Sequence, residues 1–342
     1  MLRHTKPLWI LTLTALLLSC ENSEPAPSSI PTSEVIAFRA TANETDNNRA
    51  ATLVGNKEDM REKPFCIFGD LTDDNHTETV FNKVNITYDK NESCWTYSPI
   101  EYWAPSGQYE FRAFWPASNP IANTSTTSTL ALEYNMMTQN DDLMVAYKSC
   151  PTKSPSVSLN FRHALSAVAV KFQTNDNTRE YYIKNIYFTG LYYSGTLLYD
   201  SADEKPDLSN AWRLAERSDV DINGNASIRI REWSKDEGEK IPQSAADYPE
   251  EFNLFIPQSL QVSSGHSKPS ISITVDIKID GETTEMTFSL TLPDTDASGT
   301  PFAWQAGKKY VYIIKDPLAD YSITVNTTEW DEINASVGDI EF

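Results

Sequence analysis

The chain reads as an all-β protein built from two β-sandwich domains in tandem, and three observations carry that reading. Short runs of β-branched and aromatic residues recur along most of its length with a period of two. Gly, Pro and Asn punctuate those runs, and no amphipathic helix of convincing length interrupts them. The 342 residues, 40% of them hydrophobic, suffice for two packed domains of roughly 150 residues each. Sixteen Tyr and eight Trp favour pleated sheets over helices.

Residues 1–19 stand outside the fold. Arg3 and Lys6 make a short basic start, and Leu8 to Leu18 is an apolar run of eleven, too short to cross a bilayer. It ends Leu17-Leu18-Ser19-Cys20, a bacterial lipobox. Small Ser19 suits the signal peptidase, and the Cys20 thiol is the group that takes the lipid. One or two acyl chains at about 0.8 kcal/mol per buried methylene hold a protein at a membrane without spanning it. An ordinary secretory signal with a chance cysteine is the competing reading. Residues 20–33, rich in Ser, Pro, Asn and Glu, form a linker from anchor to fold.

The first domain is expected over 34–153. Val35-Ile36-Ala37-Phe38 is its first strand. Thr41 to Arg49 contains no large apolar residue, so an exposed loop with Arg49 at its end offers a trypsin-like protease an accessible bond. Further strands are expected at Phe65–Gly69, Val84–Tyr88, Trp95–Tyr97, Tyr109–Trp115 and Asp141–Tyr147, with a polar loop from Asn119 to Ser128. Pro151 and Pro155 flank a boundary near residue 153.

The second domain, 154–342, opens on the long apolar stretch Val157 to Phe172. A tyrosine-rich segment, Tyr181 to Tyr199, turns at Gly190 and Gly195. Phe252–Gln258, Ile271–Ile279 and Glu285–Leu292 follow as strands, then Tyr310–Ile314 after the Gly307 turn. Tyr321, Ile323 and Val325 alternate with polar residues before Trp330. In the tail, Ile333, Ala335 and Val337 share one face, while Ile340 and Phe342 take the other parity after Gly338.

Charge and motifs narrow the function. Without Arg3 and Lys6 the chain carries 26 basic against 48 acidic side chains, a surface that repels nucleic acid and anionic membranes. His4 leaves with the leader; His76, His163 and His266 lack metal-ligand spacing, and His163, inside an apolar strand, reads as a core or edge histidine. Asp70, Asp73 and Asp74 miss the spacing of a calcium loop and read as a solvated turn. No G-x-S-x-G elbow is present. Neither an enzyme nor a cofactor or metal site is expected. Cys66 and Cys94 could bridge neighbouring strands, or could remain buried free thiols together with Cys150.

Taken together and in order, the motifs resemble a known family. Phe65-Cys66-Ile67-Phe68-Gly69, Trp95-Thr96-Tyr97-Ser98-Pro99, Tyr102-Trp103 and Phe111-Arg112-Ala113-Phe114-Trp115-Pro116 are similar to the N-terminal half of the fimbrillins, subunits of Bacteroidales type V pili. Phe161-Arg162-His163-Ala164-Leu165, Phe255-Ile256-Pro257-Gln258, Trp304 to Tyr312 and Trp330 are similar to the C-terminal half. The resemblance implies two transthyretin-like sandwiches, export as an outer-membrane lipoprotein, and assembly with other pilin subunits. It also implies that a trypsin-like protease removes the first strand and that a C-terminal strand of the next subunit replaces it. Here Val35–Phe38 is the removable strand, Arg49 the expected cut with Arg39 the alternative, and 319–342 the donor segment. A stalk subunit is expected ahead of an anchor or tip, with a host or bacterial surface ligand a further partner. The alternative is a surface glycan-binding lipoprotein, with Tyr181, Tyr182, Tyr192 and Tyr193 as its aromatic platform.

Overall fold

The structure is a computed structural model that describes residues 35–42, 60–74, 76–118, 124–139, 141–200, 202–218, 227–232, 238–296, 298–316 and 322–330. Its first eight strands are β1 (Phe38–Ala42), β2 (Phe65–Thr72), β3 (Thr77–Asp89), β4 (Cys94–Thr96), β5 (Gln108–Trp115), β6 (Leu130–Asn135), β7 (Met144–Pro151) and β8 (Val157–His163). Then come β9 (Ser166–Gln173), β10 (Glu180–Thr189), β11 (Ser194–Tyr199), β12 (Trp212–Leu214), β13 (Ile228–Glu232), β14 (Glu239–Lys240) and β15 (Phe252–Phe255). The last six are β16 (Gln258–Ser259), β17 (Ser270–Ile279), β18 (Glu282–Thr291), β19 (Ala303–Trp304), β20 (Lys308–Lys315) and β21 (Ser322–Glu329).

Seven strands form the first sheet in the order β1-β8-β7-β5-β2-β3-β4. Its two ends approach each other, because the chain after β4 runs back to the segment that enters β1: Val35 bridges Tyr102, and the Ile36 amide donates to the Glu101 carbonyl at 3.0 Å. The curled sheet encloses a core of Ile36, Phe38, Phe65, Phe81, Phe111 and their neighbours. The central strands are buried on both faces. In β2, Phe65 and Ile67 point into that core while Cys66 and Phe68 point into a second one, and β5 and β7 repeat the pattern. A strand covered on both sides has no reason to alternate, which is why these segments read as unbroken apolar runs.

The second core, shared by both halves, lies between this sheet, the three-stranded sheet β12-β11-β6, and β9 with β15. A third core fills the space between β13-β10-β17-β18 and β15-β9-β20-β21, with β9 and β20 parallel. Residue 153 falls in the turn between β7 and β8, and pairing crosses it in both directions. β8 lies after it and joins the first sheet; β6 lies before it and pairs with β11 over six residues. The stretch Val157 to Phe172 is two strands, not one. It breaks at Ala164 and Leu165, where the Ala164 amide donates to Leu143 and the chain leaves the first sheet for the second half.

Candidate assembly groove and C-terminal anchor

β1 is an edge strand whose inward side chains are central to a core. Ile36 and Phe38 are buried while Ala37 and Arg39 between and after them face solvent, the alternation expected of a strand with one covered face. The Phe38 ring meets Phe81, Tyr97, Phe111 and Phe65 edge-on, with centroids 5.4, 5.5, 5.7 and 6.3 Å away. Edge-to-face geometry sets ring hydrogens against π-faces and adds to area burial. The main chain is held as well. The Tyr97 hydroxyl donates to the Ile36 carbonyl at 2.8 Å, and the Val157 amide donates to the Ala37 carbonyl at 2.8 Å. Burial pushes the Tyr97 hydroxyl up to about 12, so it stays a donor at any physiological pH.

β1 lies parallel to β8, from Phe38 opposite Val157 to Ala42 opposite Phe161. On its other side β8 is laddered to β7 only at its last two residues, Arg162 and His163. The expected removable strand Val35–Phe38 therefore extends to Ala42, and Arg39 sits inside its hydrogen-bonded part.

The C-terminal segment is fixed differently. Residues 322–329 of the expected donor segment are not loose: they form β21, laddered antiparallel to β20 from Ser322 opposite Lys315 to Glu329 opposite Lys308. Trp330 then leaves the strand and is fully buried in the shared core. Its indole stacks on the His163 ring, 3.7 Å between centroids and 14° from parallel. Beneath the stack, His163 Nδ1 lies 2.6 Å from an Asp142 carboxylate oxygen, both side chains wholly buried. The Trp330 amide donates to the Gly307 carbonyl at 2.6 Å, and the Gly307 amide to Leu165. Gly307 makes this turn with φ of 70°, a conformation open to glycine. His163 is thus a core histidine, as its strand context predicts. Its role as the platform for Trp330 carries no sequence signal beyond the presence of both residues.

The other candidates separate. Arg49, Cys20 and the tail residues Ile333, Ala335, Val337, Ile340 and Phe342 lie outside the described residues. Tyr181 and Tyr182 share no platform: Tyr181 is buried in the third core, against which Tyr193 also packs, whereas Tyr182, its neighbour on β10, lies on the opposite face with the Lys278 ammonium 4.2 Å from its ring. Asp70 accepts from the Thr79 hydroxyl, and Asp73 from the His76 amide, both at the exposed end of the β2–β3 hairpin. Cys66 and Cys150 are free buried thiols, so no bridge joins Cys66 to Cys94. Cys66 points into the shared core, away from the solvent-side end of β4, and burial pushes its thiol up to about 12, which leaves it inert.

The comparisons with known proteins bear on this arrangement. The fold resembles a solved fimbrial protein from Bacteroides vulgatus, with 13% identity, 86% of this chain and 99% of the other covered, and a TM-score of 0.59. Two structures described as cell adhesion proteins align as well. The one from Bacteroides ovatus is 12% identical over 87% of this chain and 98% of its own, with a TM-score of 0.49. The one from Bacteroides uniformis is 14% identical over 86% and 98%, with a TM-score of 0.44. No curated protein matches the sequence. The fimbrillin-like family model matches residues 39–330, which takes in every sheet from β1 to β21, and the chain belongs to that family.

Proposed function

We propose that this protein is a non-catalytic structural subunit of a cell-surface pilus, exported as a lipoprotein anchored through Cys20 and polymerised by exchange of β1 for a strand of the next subunit. The observation that carries the reading is β1 itself. It is an edge strand at the N-terminal end of a fimbrillin-like fold, yet its inward side chains complete a core that nothing else in the described residues fills. Taking it away leaves an apolar slot between β8 and the chain after β4, with unpaired main-chain groups along β8. Such a slot accepts another strand: ladder hydrogen bonds supply affinity and the pockets select side chains.

The position of the strand favours Arg49 over Arg39 as the bond for a trypsin-like protease. A cut after Arg49 detaches all of β1, whereas a cut after Arg39 leaves Ala40–Ala42 laddered to β8. Since β21 and Trp330 are tied into their own subunit, the donor is the tail beyond them, 331–342. The protein is then found at the outer membrane surface as a precursor and in the fimbria once cut, with other pilin subunits as partners. The experiment is limited trypsin treatment of the purified chain, with and without 331–342, followed by electrophoresis without boiling. A ladder of oligomers from the full chain alone supports the reading; a ladder from both locates the donor elsewhere, with the β20–β21 hairpin next in line.

A further inference from the structure

The sheet β15-β9-β20-β21 has one face against the third core and another turned away from it. Along β20, Tyr310, Tyr312 and Ile314 are buried in that core, while Lys309, Val311 and Ile313 lie half-buried on the other face. These three line a cleft of about 480 Å³, a volume typical of small-ligand sites. The register places its other side chains. On β21, Asn326 lies opposite Val311 and Thr328 opposite Lys309; on β9, Lys171 lies opposite Ile313. Lys309 pairs with Ala167, so four residue steps, about 13 Å, separate the two lysines along the sheet. At the Lys171 end, the Glu250 carboxylate is 3.4 Å from the ammonium. At the other end, the Lys309 ammonium lies 5.5 Å from the Phe252 ring.

Each part of this lining has a counterpart in an acidic sugar. Val311 and Ile313 offer an apolar floor for the C–H face of a sugar ring. The Asn326 amide, the Thr328 hydroxyl and the Lys171–Glu250 pair offer both donors and acceptors for ring hydroxyls. Charge selects further: the whole chain carries 48 acidic against 28 basic side chains, yet the cleft holds two ammoniums against one carboxylate. Glu250 disfavours a dense polyanion, because an acidic peptide spanning the cleft sets like charge beside it. A ligand with one carboxylate keeps that group at Lys309, distant from Glu250, and gives Glu250 hydroxyls that donate to it. We propose that this cleft binds a short saccharide bearing a single carboxylate, held at Lys309, with its hydroxyls between Glu250 and Asn326. None of these residues belongs to β1 or its groove, so the site is independent of strand exchange.

Calorimetric titration of the purified, uncut chain tests this, with sialyllactose and a glucuronate-terminated disaccharide as the acidic sugars. Lactose, inorganic sulfate and hexaglutamate serve as comparisons. At least one acidic sugar is expected to bind about tenfold or more tightly than lactose, and which one does so identifies the acid. Lys309→Gln keeps the stem over Phe252 and should erase that preference, leaving the acidic sugar bound as weakly as lactose. Lys308→Gln, on the opposite face of β20 beside Glu329, should leave the preference intact. Asn326→Ala, at an exposed position, should weaken acidic and neutral sugars alike, and circular dichroism should show each variant's sheet content unchanged. Binding of hexaglutamate or sulfate as tight as that of the sugars makes the cleft a general anion site and overturns the saccharide. No binding by either acidic sugar, or a preference that survives Lys309→Gln, overturns the site. Polymerisation after trypsin is a separate readout, so the pilus reading stands or falls without it.

Discussion

Replacing Phe38 with alanine tests whether β1 is a unit that can leave while the rest of the fold stays. The ring is 5% exposed and packs edge-on against four others, so truncation removes a full aromatic side chain from a close-packed site. Phe→Ala changes of this kind cost about 3–5 kcal/mol. If β1 opens independently of the other strands, most of that cost falls on its own docking, and the open population rises by about two to three orders of magnitude. The reporter is the Val157 amide, whose hydrogen bond to the Ala37 carbonyl exists only while β1 is in place. Native-state hydrogen exchange at Val157 should accelerate by about a hundredfold or more. The Tyr312 amide, in β20 of the third core, should keep its protection until global unfolding sets the rate. Equal acceleration at Val157 and Tyr312 would show that β1 is an ordinary part of a single cooperative unit and refute its independent opening. No acceleration at either would show that the aromatic cluster contributes little to holding the strand.

The remaining expectations concern the anchor, the cut and the response to alkali. Cys20→Ala should abolish detergent-phase partitioning of the precursor, measured by phase separation of labelled cells; unchanged partitioning removes Cys20 as the anchor. Arg49→Ala should keep the chain monomeric after trypsin, whereas the native chain should acquire the N-terminus Ala50-Ala51-Thr52, read by Edman degradation; an N-terminus at Ala40 would move the cut to Arg39. Burial holds both the Cys66 thiol and the Tyr97 hydroxyl near 12, above their ordinary values. Above about pH 9 the unfolded chain therefore starts to lose protons that the folded chain keeps, and the stability these groups contribute, complete below that pH, is lost as pH rises towards 12. Urea midpoints should be level between pH 7 and 8.5 and fall steadily from pH 9 to 11; a flat profile would mean these groups are not buried in solution.

Most strands were legible because burial leaves a periodic trace. β17 alternates Ile271, Ile273, Val275 and Ile277 with polar residues, and half of it faces a core. The same rule, followed through, separates Tyr181 from Tyr182: neighbours on a strand cannot both face outward, so a platform using both was excluded by the pleat. Pairing was not legible. Nothing local in Leu130–Asn135 says that it will lie beside Ser194–Tyr199 rather than beside its chain neighbours, since edge pairing is decided by what the rest of the fold leaves open. The break at Ala164–Leu165 carries neither Gly nor Pro. It arises because β8 and β9 serve different sheets, a tertiary demand that overrides two adjoining apolar runs.

β8 is the element through which the two ends of the chain meet. Its first five residues carry β1, and its last, His163, carries Trp330, so the groove and the origin of the tail are fixed to one short strand. A tail that began in a loose segment would sample many directions and dilute its own end near a neighbour's groove. Starting from a buried indole, a donor tail leaves from a defined point, and ten residue steps along it reach about 33 Å when extended. On the donor-strand reading, the distance from one subunit's Trp330 to the next subunit's groove is limited by the reach of that tail. On the same reading, each subunit's groove is tied to its own anchor through β8, so the same limit would apply at every joint and a regular repeat along the fibre would follow from the fold of the single chain.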